Sequence, residues 1–63
     1  MDGNPIKAAR MRAGLTQQQL SEKADVPQQH ISRWERGERT PGAKALIALS
    51  KALECSMDEL VNK

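Results

Sequence analysis

The 63-residue chain is predicted to form an all-α domain, a compact bundle of five short helices. Three observations predict it. Apolar residues recur at three- and four-residue spacing, not in alternation. β-Branched residues are few, while Ala, Leu, Gln, Lys, Arg and Glu are plentiful. Start and stop signals at Gly14, Asp25-Val26-Pro27, Gly37 to Pro41 and Glu54-Cys55 cut the chain into five segments. Residues 1–63 are expected to be one domain, without repeats or low-complexity stretches.

Helix 1 is expected from about Pro5 to Ala13. Proline suits the first turn, where its missing N–H costs nothing, and Gly14 suits the left-handed position past the end. Helix 2 is expected from Gln17 to Ala24, with Thr16 and Gln19 as a T-x-x-Q capping box. Helix 3 runs from Gln28 to Arg36 and closes at Gly37. Helix 4 runs from Ala43 to Leu53, entered through Thr40-Pro41-Gly42. Helix 5 is a short C-terminal turn or two, capped by Ser56 with Glu59 three residues on.

The apolar positions predict one shared core. Its members are Ile6, Ala9, Ala13, Leu15, Leu20, Ala24, Val26, Ile31, Trp34, Ala45, Leu46, Leu49, Leu53 and Leu60. Cys55 is expected to be a small core or subsurface residue. Met11, Ile47, Met57 and Val61 are apolar residues that one small core does not obviously cover. Arg10 sits on the apolar stripe of helix 1, and Glu35 on the inner side of helix 3. Burying either alone is costly, so a structural ion pair between them is the economical expectation. Two separate solvated charges are the alternative.

Composition excludes several function classes. The formal charge is +2 and the pI about 9.0, which permits a nucleic-acid partner without demanding one. The single cysteine rules out an internal disulfide and a Cys-rich zinc site. No apolar run approaches the ~20 residues of a membrane span, so a cytoplasmic, soluble protein is expected. Tyr and Phe are absent and Trp34 stands alone, which argues against RNA modules that stack several bases. About 60 residues rarely build both a core and a deep pocket. No nucleophile–base pairing, metal-ligand cluster or phosphate loop is present. The expectation is no catalytic residue, no metal, no cofactor and no small-molecule substrate.

The informative stretch is Gln17 to Arg36, QQQLSEKADVPQQHISRWER. Two helices of about eight residues flank a three-residue turn, a helix-turn-helix pattern. On a wheel at 100° per residue, Ile31 and Trp34 define the inner face of helix 3. Gln29, Arg33 and Arg36 fall opposite, with Ser32 at the edge and Gln28 at the tip. That arc carries no carboxylate. Its amide and guanidinium groups suit adenine and guanine edges. An ordinary solvated face is the alternative. His30 falls off both centres, as a phosphate contact or a solvated side chain.

The matching residues are G-L-T-Q at Gly14 to Gln17, I-S-R-W-E-R-G at Ile31 to Gly37, T-P at Thr40-Pro41, and A-L-x-C-S-x-D-E-L from Ala52 to Leu60. In combination they resemble the DNA-binding domain of lambdoid phage repressors and Cro proteins, the XRE-type helix-turn-helix family. The resemblance covers about Ile6 to Val61. It implies a lambda-repressor-like fold and sequence-specific binding of double-stranded DNA by a transcriptional regulator, a bacterial or phage repressor, with helix 3 in the major groove. It implies base contacts from Gln28, Gln29 and Arg33. Gln17 would bond a phosphate and brace Gln28. Ser32, Arg36, Arg39 and Thr40 would contact the backbone, with amides around Thr40 to Ala43 facing a phosphate. It further implies an operator of two half-sites and a homodimer on DNA joined through helices 4 and 5.

The chain departs from the family pattern at three positions. Asp25 stands where Gly is usual, Pro27 where a Ser cap is frequent, and Glu54 where Gly or Asn follows helix 4. A protein-interaction module, such as the antitoxin half of a toxin–antitoxin pair, is the rival from another class. Residues 1–53 carry nine bases and five acids, and residues 54–63 one base and three acids. The acidic end should therefore point away from a phosphate backbone.

Overall fold

Four α-helices and one 3-10 turn are present among residues 4–61, the part of the chain described by the computed structural model. They are α1 (Pro5–Arg12), α2 (Gln17–Ala24), α3 (Gln28–Glu35), α4 (Ala43–Leu53) and the turn Met57–Leu60. The expected fifth helix is thus corrected to a single 3-10 turn. Four residues cannot repay the cost of nucleating an α-helix. The expected cap is absent as well: the Ser56 side chain makes no capping hydrogen bond, and the Glu59 carboxylate instead accepts from Arg12 at 3.2 Å. What holds the turn is Leu60, 2% exposed, driven into the core between α1 and α4.

Capping explains most other boundaries. Asn4 caps α1 by accepting from the Lys7 amide at 2.9 Å. Its amide nitrogen also donates to the Trp34 carbonyl at 2.8 Å, tying the start of α1 to the end of α3. Thr16 and Gln19 exchange two hydrogen bonds, of 3.0 and 2.9 Å, at the start of α2. Helices α1 and α3 each end one residue earlier than expected, with Ala13 and Arg36 as C-caps. Gly14 and Gly37 follow at φ 74° and 78°. Asp25 and Glu54 adopt left-handed backbone at φ 60° and 55°, a region that disfavours most side chains. Pro27 caps α3 through its carbonyl alone, which accepts from His30 at 3.1 Å.

Helix α2 packs against α3 and α4, α3 against α1, and the 3-10 turn against α1 and α4. Leu20, Ile31, Leu49 and Leu60 are fully buried at the centre. Ile6, Ala9, Ala24, Trp34 and Leu53 surround them. Leu15, Val26, Ala45, Leu46 and Cys55 are half-buried against this cluster. Two assignments change. Ala13 is exposed, as the C-cap residue past the last residue of α1. Ala52 is buried, three residues past Leu49 on the same stripe of α4.

Candidate nucleic-acid interface

The helix-turn-helix presents two helix N-termini side by side. Gln17 is the first residue of α2; Gln28 and Gln29 are the first two of α3. Together with Ser32, Arg33 and Arg36 they line one open concavity. Gln28, Gln29, Arg33 and Arg36 are exposed, and Gln17 and Ser32 are half-buried. The first N–H groups of each helix are unpaired within it and add partial positive charge at this surface.

The opposite side of α3 is fixed. Ile31 and Trp34 are buried. Glu35 receives Arg10 Nε at 2.7 Å and Arg10 Nη2 at 3.1 Å, a two-pronged contact. Arg10 Nη1 donates to the Leu15 carbonyl at 2.7 Å. The side chains are 13% and 4% exposed. Gln17 completes the set: its amide nitrogen donates to Glu35 Oε1 at 3.0 Å. The bracing expected between Gln17 and Gln28 is therefore replaced by one to Glu35. The carboxylate is the stronger acceptor, and it ties the N-terminus of α2 to the C-terminus of α3.

Arg36 is engaged on the outer rim. Its Nη1 donates to Ser32 Oγ at 3.0 Å, and its Nε and Nη2 donate to Glu38 at 3.0 and 3.3 Å. Hydrogen bonding from Arg36, then its charge, holds the Glu38 carboxyl below the ordinary carboxylate range; the slight burial of Glu38 opposes them and the charge of Arg33 adds to them. A carboxylate thus borders a face whose helical arc has none. It was missed because Glu38 lies in the loop after α3, outside the wheel. Arg33 makes no ion pair among the described residues. Arg39 lies elsewhere, lining a second cleft with His30, Arg33 and Trp34. The rings of His30 and Trp34 are 6.0 Å apart there. Thr40 is exposed, followed by buried Pro41 and by Gly42, which caps α4 without a side-chain hydrogen bond. The predicted residues thus form one concavity plus an outlying pair, Arg39 and Thr40.

Among the described residues no group of three or more His, Cys, Asp or Glu is placed to hold a metal ion. Among the same residues no helix is long and apolar enough to cross a membrane.

A family model described as helix-turn-helix matches residues 6–60. Repressor protein C2 of Salmonella phage P22 is 42% identical over 59 residues, which make up 94% of this chain and 27% of that protein. The HTH-type transcriptional regulator ImmR of Bacillus subtilis (strain 168) is 36% identical over 61 residues, 97% of this chain and 48% of that protein. The chain therefore spans less than half the length of either curated relative. The crystal structure of the P22 c2 repressor protein in complex with synthetic operator 9T matches with a TM-score of 0.85 at 40% identity, covering 98% of this chain and 94% of that one.

Proposed function

The chain belongs to the helix-turn-helix family, and on that premise we propose that it is a transcriptional repressor domain that binds double-stranded DNA in a sequence-specific way. The observation that carries this is the concavity of Gln17, Gln28, Gln29, Ser32, Arg33 and Arg36 on a helix whose other face is locked. A solved structure with the same fold, at 40% identity, is of a repressor in complex with a synthetic operator, which supports the same partner here.

In this proposal α3 enters the major groove. Arg33 reads guanine through O6 and N7, and Gln28 and Gln29 read adenine through N6 and N7. Gln17, Ser32, Arg36, Arg39 and Thr40 contact the backbone, which sets register and not sequence. Two copies bind two half-sites about one helical turn, roughly 34–36 Å, apart, joined through α4 and the turn that follows. The protein works in the cytoplasm, on the nucleoid, and catalyses no reaction.

Duplexes selected from a random pool, and scrambled controls, test it in binding isotherms at two salt concentrations, with footprints on the selected sites. The selected duplex should bind about 10³-fold tighter or better, with a symmetric footprint. Equal affinity for both duplexes would overturn sequence-specific binding, and a single unrepeated half-site would overturn the dimer.

A further inference from the structure

The cleft that holds Arg39 has a composition of its own. His30 and Trp34 stand one turn apart on α3, with ring centres 6.0 Å apart and planes inclined at 51°. Arg33 from α3 and Arg39 from the following loop complete the lining. Trp34 is buried, whereas His30, Arg33 and Arg39 are exposed. None of these three is ion-paired among the described residues.

Every charged or titratable group in this lining is basic. One turn before His30 stand Val26 and Pro27, which carry no charge. Helices α1 and α2, which pack on α3, supply no lining residue. Glu38, next to Arg39 in the loop, has its carboxylate turned to Arg36. The cleft measures about 290 Å³, at the lower edge of the roughly 300–1,000 Å³ of small-molecule sites. Its size and charge fit a small anionic group better than an organic effector. Arg33 also lines the concavity of Gln17, Gln28 and Gln29, so the cleft continues the surface proposed to meet DNA. That continuity favours a phosphate of the duplex as the anion.

We infer that this cleft seats a backbone phosphate between His30 and Arg39, and that His30 takes up a proton as the duplex binds. Histidine is the side chain whose charge ordinarily changes between about pH 5 and pH 8, and His30 is the only histidine in the chain. A phosphate within reach favours the imidazolium over the neutral ring. The ring gains its proton from solvent, and its N–H then donates to a phosphate oxygen. The Trp34 indole, already beside the ring, favours the same cation. Binding therefore tightens as pH falls. A merely solvated His30 gives no such linkage. The proton uptake rests on the proposed DNA binding and makes it pH-dependent.

Binding isotherms of the selected duplex at about pH 6 and pH 8, with wild type, His30→Gln and His30→Arg, test it. Wild type should bind at least about fivefold tighter at the lower pH, with a steeper salt dependence there. His30→Gln should bind at both pH values as wild type does at the higher one. His30→Arg, with its permanent charge, should bind at both as wild type does at the lower one. Position 30 is exposed, so circular dichroism should show both variants folded. By NMR, the titration of the single imidazole should move to higher pH when the duplex is added, and much less with an equal concentration of inorganic phosphate. A shift as large with inorganic phosphate would overturn the duplex as the source of the anion. Specific binding of equal affinity at both pH values, or a pH dependence that His30→Gln retains, would overturn the inference and leave the DNA-binding reading standing. No preference for the selected duplex at either pH would overturn that reading and the inference with it.

Discussion

Two arginine–glutamate pairs flank α3, and they do opposite work. Arg10 and Glu35 meet on its inner side, 13% and 4% exposed, with their remaining groups satisfied by Leu15 and Gln17. Arg36 and Glu38 meet on its outer rim, 57% and 54% exposed. The nitrogen–oxygen distances are similar, 2.7 and 3.0 Å, so geometry alone does not separate them. Solvent does. Water screens the outer pair and competes for both of its ends, so it is worth little and is easily exchanged for another partner. The inner pair has no such substitute. One fixes α3 against α1 and α2; the other leaves an exposed guanidinium at the edge of the concavity.

The comparison breaks most visibly at Arg10. Arg10→Met leaves Glu35 in a largely dry site with only Gln17 to satisfy it. That should cost about 3–5 kcal/mol, a large part of a small domain's stability. Arg10→Met/Glu35→Leu should recover much of the loss, because no charge is then left unpaired. Urea melts of wild type and both variants check this. Small and equal effects would show that the inner pair is no better than the outer one.

A smaller effect is expected from Arg33→Ala, which touches neither pair. Folding should be unchanged. Affinity for the selected duplex should fall by about 1–3 kcal/mol, and discrimination at one position per half-site should relax. If matched and scrambled duplexes lose affinity by the same factor, Arg33 contacts only phosphate.

The smallest effect is expected at the outer pair. Glu38→Gln removes the carboxylate that engages Arg36. The urea midpoint should stay where it is. Binding to all duplexes should strengthen modestly, with a steeper salt dependence, because Arg36 no longer exchanges Glu38 for a phosphate. A clear loss of stability would show that the exposed pair is structural after all. The sign with pH follows from Glu38 being held below the ordinary carboxylate range. What stability the pair gives is complete above the unfolded-state value and is lost as pH falls through the lower folded-state value. An NMR titration of the Glu38 carboxyl in wild type and in Arg36→Ala checks the direction: the carboxyl should titrate lower in wild type.

Much of the architecture was legible because it is local. The bounds of α2 and α4 follow from the Thr16–Gln19 box, the turn Asp25–Pro27 and the entry through Pro41-Gly42. Those signals act within four residues and hold whatever else the chain does. Positions 25 and 54 show where such signals weaken. Asp and Glu there accept left-handed backbone that Gly would take at less cost, since the packing of α2 on α3 and of α4 on the 3-10 turn requires those bends. The concavity was legible to the extent that it lies on one helix. Its border was not: Glu38 enters from a loop, and Gln17 turns to Glu35 rather than to Gln28.

The sequence by itself determined the all-helical class, the helix-turn-helix and the side of α3 that faces inward. Periodicity and capping are properties of neighbours along the chain, and they survive without a tertiary context. Only the tertiary structure decided that Met57–Leu60 is one 3-10 turn, that Ala13 is exposed while Ala52 is buried, and that Asn4 reaches the Trp34 carbonyl thirty residues away. It also decided which of two chemically equal arginine–glutamate pairs is dry. Burial depends on which surfaces meet, and the worth of a charge depends on how much water is left beside it.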